Sequence, residues 1–127
     1  GINEDFDNIK HAISKNKEAI KQSLYKTINS SKIRTYLVDS QVHYINGEES
    51  LLVRGGFNHV LNGSVIDRSN SGFFYVIPHS IGELKQKQSD LKNKQEEILY
   101  KICKEISSLF EKNLLFLKFI NKFKSYF

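Results

Sequence analysis

The chain has 127 residues, of which 39% are hydrophobic, so it is long and apolar enough for one folded domain and too apolar for wholesale disorder. Its single cysteine, Cys103, excludes an intrachain disulfide and a zinc site built on paired cysteines. The net charge of +5 arises in the flanks, since residues 41–80 carry two Lys/Arg against three acids. This surplus suits phosphate backbones or anionic lipid, and it equally suits solvated lysine-rich helices.

The chain contains no methionine, even at position 1, which predicts a fragment, a processed form or a domain released from a larger protein. No hydrophobic run reaches the length of a membrane span, and no signal peptide is visible.

Residues 1–32 show the periodicity of an amphipathic helix. Asn3 or Asp5 is expected to cap its start, and Ser30-Ser31 marks its end. The apolar positions recur at three-, four- and seven-residue steps: Phe6, Ile9, Ile13, Ile20, Leu24 and Ile28.

Residues 33–78 have the composition of short strands separated by turn signals. Asn46-Gly47 is a strong hairpin cue, and Asn62-Gly63 is either a second turn or a bend within a strand. The pattern predicts four or five antiparallel strands in sequential hairpins. Their expected positions are 35–38, 42–45, 51–53, 57–61 (or on to 66) and 73–77.

Residues 81–127 return to helical spacing, and Leu84, Leu91 and Ile98 form a short seam at seven-residue intervals. The order helix, antiparallel sheet, long helix or helix pair predicts a single α+β domain over 1–127. The basic, apolar tail 114–127 has three interpretations. In the favoured interpretation the tail packs back over the sheet. In the other two it forms an oligomer or partner interface, or it lies on a membrane surface.

Histidine is the residue type best suited to metal-independent RNA cleavage, which needs a base for the 2′-hydroxyl and an acid for the leaving oxygen. His11 lies in the first helix beside Lys10, and His43 and His59 fall in predicted strands. His79 follows the only proline, where a loop or capping role is expected. No histidine, cysteine or carboxylate spacing resembles a metal site, so neither a metal nor another cofactor is predicted.

The predicted sheet resembles the nuclease domain of colicin D, a toxin ribonuclease of the barnase/EndoU/colicin/RelE-like fold. The resemblance spans residues 10–77 at most. It rests on Val42–Asn46, Leu51–Val53, Val60–Gly63 and Ile66-Asp67, with Lys10-His11-Ala12 upstream. The run from His59 to Gly63 is also similar to a His-Ile-Leu-x-Gly piece of bacterial EndoU toxins.

This resemblance implies a bacterial toxin-type ribonuclease that cleaves RNA, with tRNA as the candidate substrate, and that is neutralised by a cognate immunity protein. Such a toxin domain would be secreted or delivered into the cytoplasm of a target cell. His11 and His59 would be the acid and base. The residues expected to contact RNA are Lys10, Arg34, Arg54, Asn62 and Ser64.

The competing interpretation is a non-enzymatic interaction module, such as an immunity, adaptor or chaperone-like protein. In outline, the order of elements resembles prefoldin-type chaperone subunits. If the chain is such a module, its docking surfaces would be the polar helix Glu83–Glu97 and the apolar tail. A homo-oligomer and membrane-surface contact through 114–127 remain open alternatives.

Overall fold

The structure of the chain is a computed structural model that describes the backbone of residues 1–124 and the side chains of residues 1–122. The described part contains two helices, four strands and three short 3-10 turns, which confirms the predicted α+β class. The helices and strands are α1 (Ile2–Ile28), β1 (His43–Ile45), β2 (Glu48–Val53), β3 (Gly63–Arg68), β4 (Phe74–Pro78) and α2 (Gly82–Lys124). The 3-10 turns are Arg34–Tyr36, Phe57–His59 and His79–Ile81.

The apolar stripe of α1 builds the core, as its periodicity predicts. Ile20, Leu24 and Ile28 are buried and pack in one cluster with Leu51 and Val53 of β2. This burial of apolar surface is the main stabilising contribution to a domain of this size. The start of α1 differs from the prediction. The N-cap residue is Gly1, so the expected caps Asn3 and Asp5 lie inside the helix.

The sheet is antiparallel, but its strand order is β1-β2-β4-β3, so β2 and β3 are not hairpin partners. The chain leaves β2 through the 3-10 turn Phe57–His59, and Phe57 is buried in the core. The prediction of a strand over 57–61 is therefore wrong. Because Phe57 is buried in the core, the chain turns away from the sheet after β2, and β4 forms the hydrogen bonds along the edge of β2. His59 consequently lies in a turn rather than in a strand.

Two further local predictions change in the structure. Residues 35–38 do not form a regular strand. Arg34–Tyr36 is a 3-10 turn, and only Leu37 bridges Val53. Gly63 is not in a turn but begins β3 opposite Pro78. A β-carbon at Gly63 would overlap the Val76 side chain and crowd the Ile77 carbonyl oxygen, so close strand approach explains this glycine.

The two helices lie side by side and antiparallel. The amide of Asn16 donates a 3.0 Å hydrogen bond to the Leu84 carbonyl at the start of α2, whereas Ile2 shares a cavity with residues near Lys104. With 43 residues α2 is about 64 Å long, and with 27 residues α1 is about 40 Å long. The second helix therefore extends well beyond the beginning of the first.

The prediction that the C-terminal segment packs back over the sheet is wrong for residues 114–124, which simply continue α2. The cover that the sheet needs comes instead from α1 and from the first turns of α2. Residues 125–127 of the predicted tail lie outside the described part. Within the described residues, no helix is both long enough and apolar enough to cross a bilayer.

Candidate functional site

The two predicted catalytic histidines occupy different parts of the molecule. His11 is exposed on α1, nine residues before the core residue Ile20, which is about 13 Å along the helix axis. His59 is exposed in the turn that follows β2. Among the described residues, no hydrogen bond or ring contact joins them. Lys10, the predicted phosphate ligand beside His11, instead lies over the ring of Phe6, with its Nζ 5.6 Å from the ring centroid.

The predicted RNA-contacting residues divide between the two ends of the sheet. Asn62 and Ser64 converge on His79: the Asn62 carbonyl accepts its backbone N–H at 2.9 Å, and Ser64 Oγ lies 3.2 Å from its Nε2. Arg54 lies at the opposite end, with its Cζ 5.4 Å from the centroid of the Phe73 ring. Arg34 is exposed in the turn before β1. The structure therefore assembles parts of the predicted set but not one cleft that contains them all.

An Asp39–His43 pair, which the sequence did not single out, lies at the edge of the sheet. The Nε2 atom of His43 lies 2.7 Å and 2.9 Å from the two carboxylate oxygens of Asp39. Asp39 also accepts the Gln41 backbone N–H at 3.1 Å, and the His43 ring makes an edge contact with Tyr75. The pair closes the loop between Leu37 and β1, so it stabilises this irregular sheet edge. The four-residue spacing of Asp39 and His43 was the available signal.

The Ser64–His79 and Asp39–His43 pairs do not combine into a metal site or into a set of nucleophile, base and acid. Among residues 1–122, no three His, Cys, Asp or Glu side chains converge as metal ligands would. Ser64 and His79 lie at one end of β3, whereas Asp39 and His43 flank β1 on the far side of the sheet. Cys103 is exposed on α2.

A buried carboxylate joins the sheet to the start of α2. Glu49 on β2 is fully buried, and its Oε2 accepts a 2.7 Å hydrogen bond from Lys85 Nζ. The amide of Gln88 donates to the same carboxylate at 3.3 Å. Burial alone would raise the pKa of Glu49. The hydrogen bond and charge of Lys85, a backbone hydrogen bond and the amide of Gln88 outweigh that effect and lower the pKa. The pair orients α2 relative to the sheet.

The far part of α2, residues 106–122, which we term the apolar arm, carries most of the large exposed apolar side chains in the described part of the chain. The start of α1 reaches only the beginning of this arm, where Gly1 and Ile2 share a cavity with Ile106 and Leu109. Beyond that point large apolar side chains face solvent, and Phe110 is 66% exposed. The other exposed members include Leu114, Leu115, Phe116 and Leu117. Exposed apolar patches of this kind mark interaction sites.

The sequence prediction located this surface only in part. Leu84, Leu91 and Ile98 form the seam that the sequence shows at seven-residue intervals, and the helix that lies beside α2 there is α1 of the same chain. Leu91 is buried where α1 lies alongside, and Ile98 is half-buried. Part of the helix Glu83–Glu97, which was expected to be a docking surface, therefore packs within the domain. The apolar arm remains as the candidate functional site.

Comparison with known proteins finds relatives that are named Endonuclease MutS2. The Helicobacter pylori J99 protein is 32% identical over 122 residues, which cover 96% of this chain and 16% of the relative. The Staphylococcus saprophyticus protein is 32% identical over 108 residues, covering 81% of the chain and 14% of the relative. The Borreliella burgdorferi protein is 25% identical over 118 residues, covering 92% and 15%.

The chain therefore spans about a sixth of the length of the curated relatives it matches. Nearly all of the chain is similar to one portion of proteins that carry an endonuclease name. No family model and no solved structure matches the chain.

Proposed function

We propose that this chain is a non-catalytic interaction segment of a nuclease-related, MutS2-type protein. In this role the small sheet and α1 anchor α2, and the apolar arm docks onto other helices of the larger polypeptide. The observation that carries the proposal is the apolar arm itself, which continues past the start of α1 with its large side chains exposed. The absence of a joined acid–base pair at His11 and His59 is consistent with a role without catalysis.

The distribution of apolar side chains on the arm favours more than one neighbouring helix. Successive residues of a helix are about 100° apart, so Leu114, Leu115, Phe116 and Leu117 together point around about 300° of the circumference. A flat surface or a single partner helix covers one stripe only. A helix that is hydrophobic on all sides is typical of the interior of a bundle. The arm therefore fits between two or more helices.

The relatives and the charge of the arm indicate where those helices come from. The proteins that match are about six times as long as the matched segment, so a polypeptide of that kind has ample chain to surround the arm. The arm carries three lysines and one glutamate, Glu111. Helices with an apolar seam and acidic flanks would complement it.

Peptide binding tests this docking directly. Synthetic peptides of about 30 residues, long enough to form stable helices, would tile the H. pylori J99 relative outside its matched portion. Binding of each to the fluorescently labelled chain would be measured by anisotropy. We expect specific binding by one or more amphipathic peptides with acidic flanks. A Phe110→Glu/Phe116→Glu chain should lose about tenfold or more in affinity, because each carboxylate would have to enter an apolar contact.

Tyr100→Glu is the matched control, because Tyr100 is 70% exposed on α2 before the arm begins. This variant should bind the same peptides as the wild-type chain. The docking proposal fails if no peptide binds better than its scrambled version, or if the arm variant and the control bind equally. Sedimentation of the chain alone shows whether a second copy is the preferred occupant, and anionic vesicles show whether a membrane surface is.

The ribonuclease interpretation is the second candidate, and the relatives' shared name, Endonuclease MutS2, is the observation that favours it. Incubation of the chain with total tRNA in EDTA, followed by gel analysis, separates the two candidates. On our proposal the tRNA stays intact. Discrete fragments that disappear in His11→Ala or His59→Ala would instead establish metal-independent cleavage and overturn the non-catalytic assignment.

A further inference from the structure

Two Asn-Gly dipeptides occur in the chain, and one of them lies in an open loop. Asn46-Gly47 joins β1 to β2, and both residues are exposed, with positive φ of 55° and 78°. A β-carbon at Gly47 would meet nothing within 4 Å, so the backbone there can rotate without a clash. Within residues 1–122 the Asn46 side chain makes no hydrogen bond. Its amide can therefore reach the Gly47 nitrogen once the turn opens locally.

The second dipeptide, Asn62-Gly63, is held by the strands around it. The Asn62 carbonyl accepts the His79 backbone N–H at 2.9 Å, and Gly63 pairs with Pro78 at the start of β3. A β-carbon at Gly63 would overlap a side chain of β4, so there is no space beside this glycine. Rotation of the Asn62–Gly63 peptide therefore requires the β3–β4 pairing to open first, whereas the exposed turn at Asn46 opens at much lower cost.

An asparagine that precedes a glycine can modify itself, because glycine has no β-carbon to shield its main-chain nitrogen. At the β1–β2 turn the Gly47 nitrogen would lose its proton and attack the side-chain carbon Cγ of Asn46. The new N–Cγ bond closes a five-membered succinimide ring, and the bond from Cγ to the amide nitrogen breaks, which releases ammonia. Water then opens the ring at one of its two carbonyl carbons and leaves either aspartate or isoaspartate. Water is the only other reactant.

We propose that Asn46 is a site of spontaneous deamidation in the folded chain, whereas Asn62 is protected. The two dipeptides have the same sequence, so the selection comes from their surroundings in the tertiary structure. This inference concerns the β1–β2 hairpin and not the apolar arm, so it does not rest on the docking function proposed above.

The reaction changes the charge of a cleft between the two helices. Asn46 and Gly47 line this cleft, about 410 Å³ in volume, together with Lys17 of α1 and with Lys85 and Lys92 of α2. Either product places a new carboxylate beside these lysines. Isoaspartate also lengthens the main chain of a loop that has only two residues, so it strains the pairing of β1 with β2.

Peptide mapping by mass spectrometry tests the site in the intact chain. The folded chain would be kept at mildly alkaline pH for several days, with samples digested briefly by trypsin. Trypsin cleaves after lysine and arginine, so Asn46 is the only asparagine of the peptide 35–54, and Asn62 lies in the peptide 55–68. We expect the conversion of amide to acid to be at least about tenfold faster at Asn46 than at Asn62, because only the first turn opens locally.

The urea-unfolded chain is the matched control, because it keeps both dipeptides and removes their surroundings. In urea the two asparagines should react at rates within about threefold of each other. The proposal is overturned if the peptide 35–54 stays unmodified in the folded chain, or if the folded chain converts Asn62 as fast as Asn46.

Asn46→Asp separates the effect of the new charge from the effect of the longer main chain. Its urea midpoint should stay close to that of the fresh wild-type chain, because aspartate also tolerates positive φ. The isoaspartate form, separated from the aged chain by chromatography, should unfold at a lower urea concentration. An unchanged midpoint for that form would contradict the expected strain in the hairpin.

Discussion

Replacing Lys85 by methionine is expected to lower the free energy of unfolding by about 3–5 kcal/mol, because it leaves the carboxylate of Glu49 buried without its counter-charge. The Glu49 side chain is 1% exposed and the Lys85 side chain 11% exposed, so water cannot replace the lost partner. The two longer hydrogen bonds from Gln88 and a backbone hydrogen bond would remain, and none of these donors carries a positive charge. Urea unfolding followed by circular dichroism measures the loss.

Two further variants separate this effect from a general loss of charge. Lys87→Met removes an exposed lysine two residues further along α2 and should change stability by less than about 0.5 kcal/mol. Glu49→Leu/Lys85→Met removes both charges and should recover much of the loss, because two apolar groups of similar volume can replace a buried pair. Equal destabilisation by Lys85→Met and Lys87→Met would show that the pair does not support the fold.

The same carboxylate predicts how stability depends on pH. The folded chain lowers the pKa of Glu49 below its ordinary value, so the unfolded chain takes up this proton first as the pH falls. The contribution is therefore complete above the ordinary glutamate pKa, about 4.3, and disappears as the pH falls through the lower folded pKa. Below about pH 5, Glu49→Gln should show a smaller loss of stability with acid than the wild-type chain.

Leu24→Ala is expected to cost about 2–5 kcal/mol, through the loss of buried apolar surface and the cavity that remains. Leu24 is fully buried where α1 meets Leu51, Val53 and Phe57, so the site cannot collapse without moving both the helix and the sheet. The urea midpoint of the variant should fall while the m-value stays unchanged.

Tyr25→Ala is the matched control for the core variant. Tyr25 is the next residue of α1 but is 46% exposed, so its truncation should cost under about 1 kcal/mol. If the two truncations were equally destabilising, the face of α1 that packs on the sheet would differ from the one described.

Local patterns in the sequence predict the elements of this fold well. The three- and four-residue spacing of Ile20, Leu24 and Ile28 predicts the buried face of α1, and that face forms the core. Asn46-Gly47 predicts the β1–β2 hairpin, and both residues have positive φ, at 55° and 78°. These predictions succeed because the physical cause lies within a few residues of the chain.

Strand order and the grouping of side chains could not be predicted in the same way. The pairing of β2 with β4 depends on where Phe57 is buried, and a propensity pattern does not contain that information. Arg68 meets the ring of Phe74 only through the strand register, which no local pattern in the sequence shows. Glu49 and Lys85 are 36 residues apart and share no local signal.

The sequence by itself determined the α+β class, the amphipathic α1 and an apolar, basic C-terminal helix. These properties follow from composition and periodicity, which act between neighbours in the chain. Only the tertiary structure decided that α1 and the start of α2 cover the sheet, so that the apolar arm remains exposed. The reason is that burial is a competition among all apolar surfaces for a limited core, and a local pattern cannot show which surface is left outside.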